Sequence, residues 1–242
     1  MDPIFPCERP SVPGLDYYED WRLARGASGD YLDYFDTDGG YLELAIGDVA
    51  GKRLSGALRT SLHDLVRAMR LGAGFGPGDL MPTIDKAFYR SCPENCYATL
   101  FLARYDPYTG QLRYVNAGHE PPLILRQTGE RRRVIALEPS GPVLGMLRKA
   151  SYREGAVSLE PGDLLVAYTD GLCGARNASG QEWGYRSLLD TVQSSSGRRA
   201  QDIVEDVMAA VERFAAGAAQ FDDMTLWVGR IHRIALSRSV AA

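Results

Sequence analysis

The sequence predicts an α+β fold in which two antiparallel sheets are packed together with helices outside. Three observations predict it. Short apolar runs separated by Gly-, Pro- and Asp-rich turns recur along the chain and read as hairpin strands. Two stretches interrupt them in which apolar residues recur at helical spacing, each stretch long enough for a pair of helices. No internal repeat and no linker divides the 242 residues, so one domain is expected over residues 14–232. An irregular segment, 1–13, precedes it, and a tail, 233–242, follows.

The elements follow in order. Residues 1–13 are rich in Pro and irregular, and a strand is expected over Leu15–Ala24. Tyr31–Phe35 and Tyr41–Ile46 flank Asp36-Thr37-Asp38-Gly39-Gly40, which reads as a hairpin turn. In the second of these runs the strand is expected to stop at Gly47, with Asp48 just past its end. A helix over Leu54–Leu71 follows from Leu54, Leu58, Leu62, Leu65, Val66 and Met69, with Arg59, His63, Asp64, Arg67 and Arg70 at the other positions. Gly72–Gly78 ends it, and Asp79–Arg90 forms the second helix of the pair. Strands Tyr97–Tyr105 and Gln111–Asn116 are joined by Asp106-Pro107-Tyr108-Thr109-Gly110. Leu123–Arg126 pairs with Arg133–Leu137. Tyr152–Leu159 turns through Glu160-Pro161-Gly162-Asp163 into Leu164–Thr169. Helices Tyr185–Val192 and Ala200–Ala215 form the second pair, and Met224–Val228 is the last strand.

Composition narrows the function. Lys and Arg total 27 against 31 Asp and Glu, a net charge of −4. That balance argues against a nucleic-acid binder, which carries a basic excess or stripe. The one dense basic run, Arg131-Arg132-Arg133, reads as a solvated hairpin edge. No stretch reaches the roughly 18 apolar residues of a membrane helix, and MDPIFPCERP lacks the layout of a signal peptide, so a cytoplasmic protein is expected. Cys7, Cys92, Cys96 and Cys173 have no partner pair at zinc spacing and are expected to be free thiols.

Four aspartates share a local grammar. Asp30 in SGDYLDYF precedes a strand, Asp48 in IGDVAGK follows one, Asp170 in LLVAYTDGL follows a very apolar one, and Asp222 in FDDMTLWV precedes the last. A carboxylate beside a buried segment is costly unless a cation meets it. No Lys or Arg accompanies all four. Hard oxygen ligands in such a set suit Mg²⁺ or Mn²⁺. Each alone could be a turn aspartate; Asp38, Asp106 and Asp163 are read that way.

With these motifs in order, joined by ATLFLARYDPYTGQLRYVNAGHEPPLIL, GPVLGM and VSLEPGDLLVAYTDG, the chain resembles the SpoIIE/RsbU-type branch of the metal-dependent PPM (type 2C) serine/threonine phosphatases. The resemblance runs from about Pro13 to Arg230. It implies an α/β/β/α sandwich and a centre of two Mn²⁺ or Mg²⁺ ions. In that centre Asp48 bridges both ions, Asp30 and the backbone carbonyl of Val49 serve one, and Asp170 and Asp222 serve the other. Asp223 is the alternative to Asp222. The resemblance further implies a phosphoprotein substrate in bacterial partner switching, such as an anti-sigma-factor antagonist, and a helix pair after Asp48 able to mediate dimerisation or switching. Arg25, five residues before Asp30, is either a phosphate clamp or a surface strand arginine. Lys52 and Arg53 either meet an anion or face water. His119 is expected to shape its loop rather than transfer a proton.

The chain departs from the family pattern in places. Ser28 replaces a glycine before Gly29-Asp30, Arg53 replaces a glycine, and Gly174 stands where a carboxylate is common. Ala50 occupies a position where many type 2C enzymes carry a histidine acid, so a general acid is missing there. These departures keep a second reading open, that of a catalytically silent PPM fold which only binds a partner.

Overall fold

The computed structural model describes residues 9–24, 28–36, 40–50, 55–70, 75–92, 96–129 and 131–234. In chain order its elements are β1 (Leu15–Arg22), β2 (Asp30–Asp36), β3 (Leu42–Ala50), α1 (Ser55–Arg70), α2 (Pro77–Ser91), β4 (Tyr97–Asp106) and β5 (Gln111–Ala117). They continue with β6 (Leu123–Thr128), β7 (Arg131–Ala136), β8 (Gly155–Ser158), β9 (Leu164–Tyr168), α3 (Asp170–Cys173), α4 (Gly184–Ser194), α5 (Ala200–Ala215) and β10 (Met224–Ile231).

The strands form two five-stranded antiparallel sheets, ordered β1-β10-β9-β6-β7 and β2-β3-β4-β5-β8. The predicted fold class is the one observed. Three apolar clusters account for the layering. Between the sheets lie Leu32, Leu44, Ile46, Phe101, Ile124, Leu165 and Trp227. Leu188, Ile203, Val204 and Val207 of α4 and α5 cover the outer face of the first sheet. Leu58, Leu62, Leu80, Ile84 and Phe88 of α1 and α2 cover the outer face of the second. The sequence LLVAY of β9 is buried at every position because both of its faces are covered. The exposed arginines of β7 lie on an edge strand, where charge discourages pairing with another chain.

Several boundaries differ from the sequence reading. β3 does not stop at Gly47; it runs to Ala50, so Asp48 is a ladder residue opposite Thr99 and Asp30. Gly47 is there because a methyl group would collide with the Thr99 carbonyl. α2 begins two residues early because Pro77 fits the first helical turn and the Asp79 carboxylate accepts from Gly76 N–H at 3.0 Å. β1 ends at Arg22 rather than Ala24, β8 keeps only four residues, and β10 continues to Ile231. The four-residue α3 was not anticipated. Among the described residues no helix is long and apolar enough to cross a membrane, and Cys92, Cys96 and Cys173 are free thiols.

Candidate metal centre

Asp30 opens β2 and Asp48 lies near the end of β3, directly across the ladder from it. Residues opposite one another in an antiparallel pair share a face, and like charges there repel. The other two aspartates come from the other sheet. Asp170 follows β9 and starts α3, and Asp222 stands two residues before β10. β9 and β10 are neighbours in register, with Tyr168 opposite Leu226, so their site ends coincide. One edge of the sandwich thus collects carboxylates from both sheets.

Asp30 is the most deeply held, at 2% exposure. Its Oδ2 accepts hydrogen bonds from the hydroxyls of Thr169, at 2.7 Å, and Thr225, at 2.6 Å, both in the facing sheet. Burial pushes its carboxyl up to about 8; the two hydroxyls oppose that rise, and Asp48 and Asp223 add to it. Asp48 is pushed up to about 6, first by burial and then by the charges of Asp170, Asp222 and Asp223. Asp222 is also raised, first by burial and partly by Asp170. Asp48 thus feels the charge of Asp170 and Asp222 from the other sheet's side, and Asp30 feels that of Asp48 and Asp223.

Two glycines make the approach possible. A methyl group at Gly29 would lie 2.8 Å from the Val49 carbonyl oxygen and closer still to Asp48 Oδ1. At Gly171 it would run into the Asp223 carbonyl. The backbone is therefore open where oxygens of Asp48 and Val49 meet the chain leading into Asp30. This donor set of carboxylates and one backbone carbonyl fits a hard divalent cation. Among the described residues, no three His, Cys, Asp or Glu side chains are drawn close enough to enclose an ion as they stand.

Asp222 and Asp223 have different surroundings. Asp223 is buried, and its two oxygens accept from Ala24 N–H at 2.7 Å and Gly29 N–H at 3.0 Å. It ties the strand preceding Asp30 to the start of β10. Asp222 is exposed, and its Oδ1 accepts from Asp223 N–H at 2.9 Å.

His119 lies behind the site. Its ring Nδ1 is 2.9 Å from the Thr99 hydroxyl, which accepts from Asp48 N–H at 2.9 Å. The hydroxyl also lies 3.5 Å from the Asp48 carbonyl, and His119 Nε2 has no hydrogen-bond partner among the described residues. Burial holds the ring down to about 4, so it is neutral at pH 7. Asn116 locks the same loop by accepting from His119 N–H at 2.8 Å and donating to the His119 carbonyl.

One further residue of the site was misread in the sequence. Arg59 of α1 falls off the apolar spacing of its helix, yet it is 5% exposed. Its Nε and Nη1 have no hydrogen-bond partner among the described residues. Burial lowers its pKa, while Asp223 and Asp30 attract the charge and offset part of that. Glu120 was also missed; its carboxyl is raised by burial and by Asp170. The signal for Glu120 was its place beside His119 in NAGHEPP. Arg59 gave no signal, since helical spacing alone puts it off the apolar stripe. Arg25, Lys52 and Arg53 lie outside the described residues.

Residues 38–232 match the protein family described as Stage II sporulation protein E (SpoIIE). The chain is 27% identical to the phosphoserine phosphatase RsbU of Bacillus subtilis, over 86% of this chain and 60% of RsbU. The solved structure of the RsbU and RsbW domains of Rv1364c from Mycobacterium tuberculosis superposes with a TM-score of 0.75 at 27% identity, covering 92% of this chain and 61% of that one. The PP2C phosphatase domain of SpoIIE from Bacillus subtilis shares the fold, with a TM-score of 0.73 at 19% identity over 92% of this chain and 64% of that one. Across the curated relatives it matches, the chain spans between 38% and 60% of their length.

Proposed function

This chain belongs to the SpoIIE family and has the PPM (PP2C) phosphatase fold, and on that premise we propose that it is a phosphoprotein phosphatase. It hydrolyses phosphoserine or phosphothreonine monoesters with the help of two Mn²⁺ or Mg²⁺ ions. The observation that supports the reading is that Asp30 and Asp48 face each other across β2 and β3, while Asp170 follows β9 and Asp222 precedes β10, with Asp170 and Asp222 raising the Asp48 carboxyl.

In this reading Asp48 would serve both ions, Asp30 and the Val49 carbonyl would hold one, and Asp170 and Asp222 would hold the other. Asp222 is preferred to Asp223 because both Asp223 oxygens already accept backbone N–H groups. Ions in such a pair supply charge neutralisation for the phosphoryl oxygens and a nucleophilic water at neutral pH. The chain's own part is positional. Thr169 and Thr225 fix the Asp30 carboxylate, Thr99 fixes the Asp48 backbone, and Asp223 fixes the approach to Asp30. Arg25 is proposed as a phosphate contact on its sequence offset alone. Water attacks phosphorus in line, the P–O bond to the seryl oxygen breaks, and that oxygen takes a proton from solvent. The proposed substrate is a cytoplasmic signalling phosphoprotein of the anti-sigma-factor-antagonist kind, and the α1–α2 pair is the proposed site of any homodimer.

The test is p-nitrophenyl phosphate turnover with Mn²⁺, run beside Asp48→Asn. Wild type is expected to turn over and the variant to lose at least 10²-fold. No turnover in wild type across Mn²⁺ and Mg²⁺ concentrations that saturate binding would favour the silent partner-binding reading.

A further inference from the structure

A groove of about 510 Å³ leaves the carboxylate edge on the side of Asp170 and Asp222. Its size is that of a ligand site rather than a packing defect. One wall is the segment after α3, with Gly174, Ala175, Arg176 and Glu182. The other is the end of α5 and the loop that leads to β10. Phe221 stands on the rim at 77% exposure, the most exposed large apolar side chain among the described residues.

The charges in this groove are arranged unusually. Arg22 pairs with Glu212, and Arg176 pairs with Glu182 at 2.7 Å. Both arginines thus have a carboxylate partner within the groove wall, in exposed pairs. The unmatched charges, Asp170 and Asp222, sit at the end that the proposed centre uses. Between them and the far end the lining is small and apolar, including Ala175, Val211, Ala215, Ala218 and Met224. Gln220 holds the loop open by donating to the carbonyls of Arg22, at 2.8 Å, and Asp222, at 2.7 Å. A trough with a small, apolar floor, charges confined to its walls and one end, and an aromatic rim, continuous with the proposed centre, suits an apolar length of polypeptide.

We propose that this groove seats the segment of a phosphoprotein substrate next to its phosphorylated residue, and that an aliphatic side chain of that segment enters between Ala218 and Phe221. The groove then sets which phosphoserines are hydrolysed. This rests on the phosphatase reading above.

The experiment uses two groove variants, Ala218→Trp, which fills the trough, and Phe221→Ala, which removes the rim. The probes are p-nitrophenyl phosphate and two phosphoserine peptides identical except for Leu or Gly at the positions flanking the phosphoserine. Wild type is expected to favour the Leu peptide at least tenfold in kcat/KM. Both variants are expected to lose that preference while p-nitrophenyl phosphate turnover stays within twofold. Equal use of the two peptides by wild type, or a preference that survives both variants, overturns the proposal. Anisotropy of the labelled peptides on Asp48→Asn protein, with and without each groove change, gives the same decision without turnover. Failure of the phosphatase reading therefore shows separately, as no p-nitrophenyl phosphate hydrolysis. Sedimentation at the same protein concentrations covers the remaining occupant: if Ala218→Trp dissociates a dimer and leaves peptide binding unchanged, the groove is a contact between copies and the proposal fails.

Discussion

Individual residues at the carboxylate edge make the folded chain sensitive to protons. Asp30 and Asp48 are pushed up to about 8 and about 6, against about 3.9 in an unfolded chain. Between those values the folded protein binds more protons than the unfolded one, so stability falls as pH rises. That contribution is complete below about pH 4, largely gone for Asp48 above 6, and gone for Asp30 above 8. Urea denaturation of metal-free protein should therefore give a higher midpoint at pH 5 than at pH 8, with Asp30→Asn flattening the difference; an equal slope in that variant would count against it. Added Mn²⁺ should act oppositely, binding more tightly as pH rises because it competes with protons. Arg59 belongs to the same balance. Its burial cost outweighs its attraction to Asp223 and Asp30 and two of its donors are unpartnered, so Arg59→Met should raise the unfolding free energy of metal-free protein by about 1 kcal/mol, read by urea denaturation. His119 is neutral, buried and committed to Thr99, and Ala50 donates nothing. With no built-in acid, rates should depend steeply on leaving-group pKa. A general acid contributes about 10²–10⁴-fold. If the dependence is shallow in wild type and steep in His119→Ala, the histidine is that acid and its loop-holding assignment is wrong.

At the scale of elements, α1 shows what periodicity reveals and what it hides. Leu58, Leu62 and Val66 are buried as their spacing predicts. Arg67 lies off that stripe and is half-exposed. It donates two hydrogen bonds, at 2.8 and 3.0 Å, to Asp33, whose side chain is almost wholly buried in β2. His63 of the same helix approaches that carboxylate to 3.7 Å. Reversing the charge there does more than recolour a surface. Arg67→Glu should cost about 1–3 kcal/mol, because Asp33 loses two charge-assisted hydrogen bonds while the half-exposed position lets the new carboxylate turn to water; chemical denaturation reads this directly, and an unchanged stability would contradict it. Most strands and four of the five helices were legible because apolar spacing and turn residues are local. The extension of β3 through Asp48 was not, since the Gly47–Thr99 contact that sustains it comes from another strand. The four aspartates were legible by their position beside apolar runs. Thr169, Thr225 and Thr99, which orient them, were not, because a buried hydroxyl declares itself only once its acceptor is across the sandwich.

Over the whole molecule, divalent cations should stabilise the fold, since an ion that binds only the folded state shifts the equilibrium by mass action. At 100 times the dissociation constant this amounts to about 2.7 kcal/mol, and Asp48→Asn should abolish most of the corresponding rise in melting temperature. The carboxylates that supply this effect are divided between the sheets, and Asp30 already reaches across to Thr169 and Thr225. The edge is thus a clasp between two leaves of a book whose spine is the apolar layer between them. Chelation leaves the clasp to two hydroxyls, and each leaf, with its own helix pair, becomes able to breathe by itself. Amide hydrogen exchange in chelator should then give two protection levels, one for β2–β5 with α1 and α2 and another for β9 and β10 with α4 and α5. Loaded with ions, the two leaves should exchange as one, and a single protection level under both conditions would show that the clasp never carried the coupling.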